Sequence, residues 1–220
     1  MSSADATHRL EHWPADSTPA GAVLALHGGR VAGHRPVGRL DLPVLRMRCL
    51  ARAVHARVAP AGVSTWVLRF DVQGWNGDEA SPVDDARRAI EHITATEDVP
   101  VVLLGHSMGA RTALRVAGEP GVCGVVALAP WLPRDEPMGD LVDRRLLVAH
   151  GTADRTTDPR LSRIYASRAW GVAASVRHVD VERDGHAMLR RPGLWNDLAA
   201  DATLDMLGLG AAPGRREASR

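Results

Sequence analysis

The 220-residue sequence contains no lysine, one tyrosine, one phenylalanine and two cysteines. All 27 basic residues are therefore arginines, and 26 acidic residues balance them to a net charge of +1. Such a balance gives no reason to expect a nucleic-acid partner or a membrane surface, because both attract strongly basic proteins. The missing lysine accompanies abundant alanine, glycine and valine, a composition typical of GC-rich codon usage.

The two cysteines are too few and too widely separated for a disulfide framework. Cys49 and Cys123 show neither a C-x-x-C motif nor the spacing of metal ligands, so we expect two small buried hydrophobic side chains. The sequence therefore implies no metal and no cofactor.

Long hydrophobic runs are also missing, since no stretch reaches the roughly 18 apolar residues of a membrane-spanning helix. The opening stretch MSSADATHRLEHWPADS lacks the basic segment and apolar run of a secretory signal. We therefore expect a cytoplasmic protein.

The length suits one domain with a single core. We expect a partly irregular N-terminal segment (1–20) that can add one short edge strand, a domain (21–207) and a flexible tail (208–220). Short apolar segments alternate with amphipathic ones, and we predict strands at 22–28, 63–71, 99–107, 124–130, 144–151 and 175–181. Most of these strands are apolar almost without interruption, as in parallel strands that are covered on both faces.

The segments between the strands show the spacing of helices. Apolar residues recur on one helical face at Met47, Leu50, Val54 and Val58, at Val83, Ala86, Ile90 and Ile93, and at Trp195, Leu198, Ala202 and Met206. Ser81 is expected to cap the second helix, with Asp84 as its capping-box partner. The alternation predicts an α/β fold: a doubly wound, mostly parallel sheet with helices on both faces. In such sheets ligands bind beyond the carboxyl ends of the strands.

A candidate nucleophile lies in the segment VVLLGHSMGARTAL (101–114). Gly105, Ser107 and Gly109 fit the pattern G-x-S-x-G, in which a serine occupies a tight strand-to-helix turn. The glycines are needed because side chains at those positions would collide with neighbouring backbone. The following helix directs its N-terminal amides and a partial positive charge at the reacting centre.

A serine hydroxyl needs a base, and ten histidines compete for that role. His186 follows the last predicted strand, at the edge of the sheet where Ser107 also lies. His178 falls within a strand, and the elbow is expected to turn His106 away from the reacting face. We therefore expect His186 to be the base.

The third residue of the site must be a carboxylate that orients the imidazole and stabilises its charged form. Asp154 follows the strand RRLLVAHG and is the favoured candidate. Asp158 precedes Pro159 and is typical of a helix N-cap, so it is the second candidate. Asp135 is the third.

The order Ser107, Asp154, His186, together with HGG (27–29) and RFDVQGWNGDEA (69–80), resembles the α/β-hydrolase family over about residues 22–207. The resemblance implies that these three residues form a catalytic triad. The oxyanion hole would use the Met108 N–H and an N–H of the HGGR loop (27–30), with Gly29 favoured and Arg30 as the alternative.

Only residues 131–143 separate two predicted strands at the junction where larger members of this family insert a helical cap. We therefore expect no substantial cap domain and an open site for small or accessible substrates. Four residues on carboxyl-end loops are tentative lining of the substrate pocket: Arg30, Trp75, Trp131 and Met188.

These features predict a serine hydrolase that cleaves a small-molecule carboxylic ester or thioester through an acyl-enzyme on Ser107. An acyltransferase with the same triad is one alternative. A ligand-binding protein that keeps the fold without catalysis is another, since fold and function are separable.

Overall fold

One seven-stranded sheet forms the centre of the protein in the computed structural model, which describes residues 9–210. The strands are β1 (Leu10–Trp13), β2 (Gly21–Leu26), β3 (Val63–Leu68), β4 (Val101–His106), β5 (Val122–Leu128), β6 (Arg145–Gly151) and β7 (Ser175–Val181). Their spatial order is β1-β3-β2-β4-β5-β6-β7. Within residues 9–210, β1 pairs antiparallel with β3, and all other neighbouring strands of the sheet pair in parallel.

Five α-helices cover the sheet. They are α1 (Leu42–Val58), α2 (Pro82–Glu97), α3 (Met108–Arg115), α4 (Pro159–Ala169) and α5 (Pro192–Met206). Short 3-10 helices follow α1 at Ala59–Ala61 and precede α2 at Gly77–Glu79.

The central strands are buried on both faces because successive side chains point to opposite sides of the sheet. In β2, Leu24 and Leu26 pack in one core cluster with α2, α3 and α4, while Val23 and Ala25 pack in the other with α1 and α5. The predicted doubly wound architecture is confirmed, and the N-terminal segment adds the edge strand β1. The predicted helical stripes are all buried.

Two local predictions are wrong. Ser81 already has helical backbone angles (φ −41°, ψ −40°), so its hydroxyl makes no cap bond and instead donates to Glu79 Oε1. Asp84 pairs with Arg87 one turn later. Cys49 is exposed on α1 and Cys123 is half-buried, so neither is the fully buried side chain that we expected.

A short ordered loop connects β5 to β6, at the position where a cap would be inserted. Residues 129–144 contain no helix, so the expectation of a capless fold is confirmed. The loop is held by Glu136, which is 1% exposed and accepts hydrogen bonds from Arg111 Nε (2.7 Å) and Arg115 Nε (2.5 Å).

The limits of the domain remain a prediction, and most of the tail predicted at 208–220 lies outside the described residues. Across residues 9–210, every helix is too short or too polar to cross a bilayer.

Candidate active site

Ser107 occupies a strained turn between β4 and α3. Its φ of 56° and ψ of −117° are unusual for a residue with a side chain, and such strain is typical of functional sites. A Cβ on Gly105 would overlap the Gly109 carbonyl oxygen, and one on Gly109 would overlap the Leu26 carbonyl oxygen of β2. The two flanking glycines are therefore required by close backbone packing.

Three side chains from three different loops meet at the carboxyl edge of the sheet. The Ser107 hydroxyl donates to His186 Nε2 at 2.9 Å, and His186 Nδ1–H donates to Asp154 Oδ2 at 2.8 Å. Ser107 is 8% exposed and the His186 side chain 17% exposed, so neither is fully closed off from solvent. A base is thus placed to take the serine proton, and a carboxylate is placed to stabilise the resulting imidazolium.

The Asp154 carboxylate is completely buried, and hydrogen-bond donors of the protein surround it in place of water. Its Oδ1 accepts the backbone N–H groups of Thr156 (2.7 Å) and Thr157 (3.0 Å). Burial alone would raise its pKa, but hydrogen bonds from His150, His186 and these amides lower the pKa below the ordinary value. The residue is therefore an anion across the physiological pH range.

A second histidine contacts the same carboxylate. His150 is 0% exposed, its Nε2 lies 3.0 Å from Asp154 Oδ2, and its Nδ1 lies 2.7 Å from the Ser162 hydroxyl. The Thr157 hydroxyl donates to Asp154 Oδ2 at 2.8 Å and also lies 3.1 Å from His186 Nδ1. Sequence reasoning missed this contribution, although the spacing of four residues between His150 and Asp154 was a usable signal.

The alternative acids lie elsewhere. Asp158 caps α4, because its side chain accepts the Arg160 N–H at 2.9 Å. Asp135 is exposed on the loop between β5 and β6. The geometry thus brings Asp154, and neither of the other two, to His186.

The loop that carries His186 is anchored by a buried carboxylate that sequence reasoning also missed. Asp184 is 1% exposed and accepts the Trp195 Nε1–H at 2.9 Å, the Gly185 N–H at 2.8 Å and the Arg191 N–H at 3.1 Å. These bonds join both ends of the loop to the start of α5. The position of Asp184 two residues before the histidine is its only sequence signal.

His106 lies against the candidate base, contrary to our expectation that the elbow would turn it away. Its ring centre is 5.0 Å from that of His186, and its Nε2 lies 3.0 Å from the His186 carbonyl oxygen. Burial, with a smaller contribution from the neighbouring His186, lowers the pKa of His106 to about 3. His106 is therefore a neutral donor that holds the His186 backbone.

The HGG loop after β2 is oriented by its own histidine. Phe70 N–H donates to His27 Nε2 at 3.1 Å, so the ring proton is on Nδ1, which donates to the Gly28 carbonyl oxygen at 2.6 Å. Burial lowers the pKa of His27 to about 4, which keeps the ring neutral. In a trans peptide the N–H points opposite to the C=O, so this bond also fixes the direction of the Gly29 N–H.

Two amides in this part of the site are free to bind an anion. Within residues 9–210 the N–H groups of Gly29 and Met108 have no protein acceptor, whereas the Arg30 N–H donates to Gln73 O at 2.8 Å. A Cβ on Gly28 would lie 3.4 Å from Ser107 Cβ, so the HGG loop is adjacent to the nucleophile. The geometry favours Gly29 over Arg30 as the second donor.

The four expected pocket residues do not line one pocket. Trp75 and Met188 are 3% and 2% exposed, and they belong to the two core clusters. Trp131 is half-buried and lies with Trp75 around the Arg111 guanidinium, at 4.7 Å and 3.8 Å. Arg30 is exposed at the edge of a cleft beside the HGG loop.

Metal ligands are not clustered in the described part of the chain. No group of three or more His, Cys, Asp or Glu side chains there has the arrangement of a metal site.

Comparison with solved structures shows the same fold in several hydrolases. Est1E from Butyrivibrio proteoclasticus is 12% identical, with a TM-score of 0.64 over 90% of this chain and 93% of that one. XC6422 from Xanthomonas campestris, a serine hydrolase without a lid, is 16% identical, with a TM-score of 0.65 over 93% and 90%. A truncated carbohydrate esterase from gut microbiota is 13% identical, with a TM-score of 0.70 over 92% of each chain.

Comparison of the sequence itself gives a single assignment. No curated protein matches it. Residues 23–215, most of the chain, match the model of the alpha/beta hydrolase family, and the seven-stranded sheet agrees with that match. The chain therefore belongs to the alpha/beta hydrolase family.

Proposed function

We propose that this protein is a serine hydrolase that cleaves small carboxylic esters or thioesters through an acyl-enzyme on Ser107. The observation that carries the proposal is the continuous chain of contacts from Ser107 Oγ to His186 Nε2 (2.9 Å) and from His186 Nδ1 to Asp154 Oδ2 (2.8 Å). Structural relatives that are esterases or lipases support this reaction class.

In the first half of the reaction, His186 takes the Ser107 proton while Ser107 Oγ attacks the acyl carbon. The Gly29 and Met108 N–H groups donate to the oxyanion of the tetrahedral intermediate. His186 then gives its proton to the leaving oxygen or sulfur, the bond from that atom to the acyl carbon breaks, and an acyl-enzyme remains.

In the second half, His186 takes a proton from water, and the resulting hydroxide attacks the acyl carbon. Collapse of this intermediate breaks the bond to Ser107 Oγ, which recovers its proton from His186. The products are a carboxylic acid and free enzyme. Asp154 remains an anion and stabilises the imidazolium at each step.

A fluorophosphonate probe tests the nucleophile directly. We expect the wild type to be labelled and Ser107→Ala to be unlabelled, with circular dichroism showing that both are folded. Unlabelled, well-folded wild type would favour the non-catalytic alternative.

Substrate class is tested with p-nitrophenyl esters of increasing acyl length and with matched thioesters. Since the site has no cap, short acyl groups should react fastest, and preference for long chains would contradict the open-site argument. Addition of a competing alcohol distinguishes the acyltransferase alternative, which would produce a new ester in place of the free acid.

A further inference from the structure

A cleft of about 310 Å³ opens directly beside the candidate oxyanion loop. Its lining begins with the HGG loop (27–29) and continues over apolar side chains that include Val37, Leu42 and Pro43. Leu42 is 80% exposed and gives the cleft an apolar rim. Apolar surface next to a reacting centre suits the aliphatic part of a substrate.

The strand order decides which part of an ester would enter this cleft. Ser107 follows β4, the cleft is formed by loops after β2 and β3, and His186 follows β7 on the opposite side of β4. His186 must protonate the leaving group, so the leaving group lies on the β7 side. The acyl group then extends to the other side, into the cleft.

The cleft has more positive than negative charge. Arg35 is neutralised by Asp41, since its Nη2 donates to both carboxylate oxygens at 3.1 and 3.0 Å. Asp41 also accepts from Gln73 Nε2 at 3.0 Å, and this bond leads the contributions that lower the pKa of Asp41. Within residues 9–210, Arg30 forms no ion pair, so the cleft carries one uncompensated positive charge.

The Arg30 backbone is rigidly placed one residue after the Gly29 amide. Its N–H donates to Gln73 O at 2.8 Å, its carbonyl accepts the Trp75 N–H at 2.9 Å, and it forms a β-bridge with Gly74. Only the side chain is free to move, and it lines the cleft. A guanidinium of this kind is well suited to a carboxylate.

We propose that the cleft binds the acyl group of the substrate and that Arg30 recognises a carboxylate at the end of the acyl chain farthest from the reacting carbonyl. The preferred substrates would then be monoesters or monothioesters of short aliphatic dicarboxylic acids. This inference rests on the proposed function and specifies its substrate class. Arg30 acts on specificity and takes no part in the chemical steps.

The test compares two p-nitrophenyl esters with acyl chains of equal length, the hexanoate and the monoadipate, in which a carboxylate replaces the terminal methyl. We expect wild-type kcat/KM to be about fivefold higher for the monoadipate, as for an exposed ion pair. Arg30→Gln should lower kcat/KM for the monoadipate relative to that for the hexanoate about fivefold, so that the ratio of the two values falls to about one. Arg30→Lys should keep part of the preference.

Arg160→Gln is the matched control, because the Arg160 side chain is 87% exposed at the same edge of the sheet and outside the cleft. It should retain the preference. Equal wild-type hydrolysis of both esters, or a preference that survives Arg30→Gln, would overturn the inference while leaving the proposed function intact. Hydrolysis of neither ester by folded wild type would overturn the proposed function and, with it, the inference.

Discussion

Nε2 of His150 lies 3.0 Å from Oδ2 of Asp154, the oxygen that also accepts the hydrogen bond from His186 Nδ1–H. Because its other ring nitrogen is 2.7 Å from the Ser162 hydroxyl, His150 is held with Nε2–H toward the carboxylate when Ser162 donates to Nδ1. The candidate acid is thus bonded by a histidine on each side. His150 is 0% exposed and therefore out of reach of a substrate, and we infer that it positions Asp154.

Replacement of His150 by phenylalanine should lower kcat about tenfold and change KM little. The reason is the loss of one hydrogen bond to a charged group. The acidic limb of kcat against pH should move to higher pH. With one hydrogen-bond donor fewer, the Asp154 carboxylate stabilises the protonated form of the neighbouring imidazole more strongly. His150→Gln keeps a donor and should retain most of the activity.

Exposed His92→Phe on α2 is the control for a general effect of histidine loss. Unchanged kcat and an unchanged pH profile in folded His150→Phe would contradict the positioning role.

Gly109→Ala should destabilise the protein by about 2 kcal/mol and abolish fluorophosphonate labelling of Ser107. The added methyl group would overlap the Leu26 carbonyl oxygen and force the elbow apart. Urea unfolding and labelling measure the two effects. Gly171→Ala is the control, since a Cβ there meets nothing within 4 Å, and it should behave as wild type.

Glu136→Gln should lower the free energy of unfolding by about 3 kcal/mol. The substitution leaves Arg111, which is 8% exposed, without its buried counter-charge. Urea denaturation should show this loss, whereas exposed Glu91→Gln should change stability by less than about 0.5 kcal/mol. Equal stability of the two variants would show that the ion pair does not hold the loop.

Acid should destabilise the protein through its buried neutral histidines. The pKa of His27 is lowered from 6.5 to about 4, so the unfolded chain binds a proton at a pH where the folded protein does not. Its contribution is complete above pH 6.5 and is lost as the pH falls toward 4. Between pH 7 and pH 5 we expect a loss of about 2 kcal/mol from this residue.

The measurement is urea unfolding at both pH values. His27→Gln should lose about 2 kcal/mol less than wild type on acidification, whatever its stability at pH 7. His34→Gln, at an exposed histidine, should lose as much as wild type. An identical loss in all three proteins would show that His27 is not buried as a neutral ring.

Much of the architecture could be predicted from local sequence. The runs of branched apolar residues marked the strands because parallel strands are buried on both faces, and the elbow was recognisable because its glycines are demanded by backbone packing. Where prediction failed, the backbone did not have the conformation that the local rule assumes. Ser81 was an acceptable cap by sequence, but its backbone already follows the helix.

The sequence by itself determined the strand–helix alternation, the position of Ser107 at a strand end and the chain order of Asp154 and His186. Only the tertiary structure decided that His150 contacts Asp154, that Trp75 and Met188 lie in the core, and that Gly29, and not Arg30, has a free amide. The physical reason is the range of the interactions. Burial patterns and backbone strain depend on residues that are close in sequence. Hydrogen-bond partners and clefts depend on distant loops that meet at one edge of the sheet.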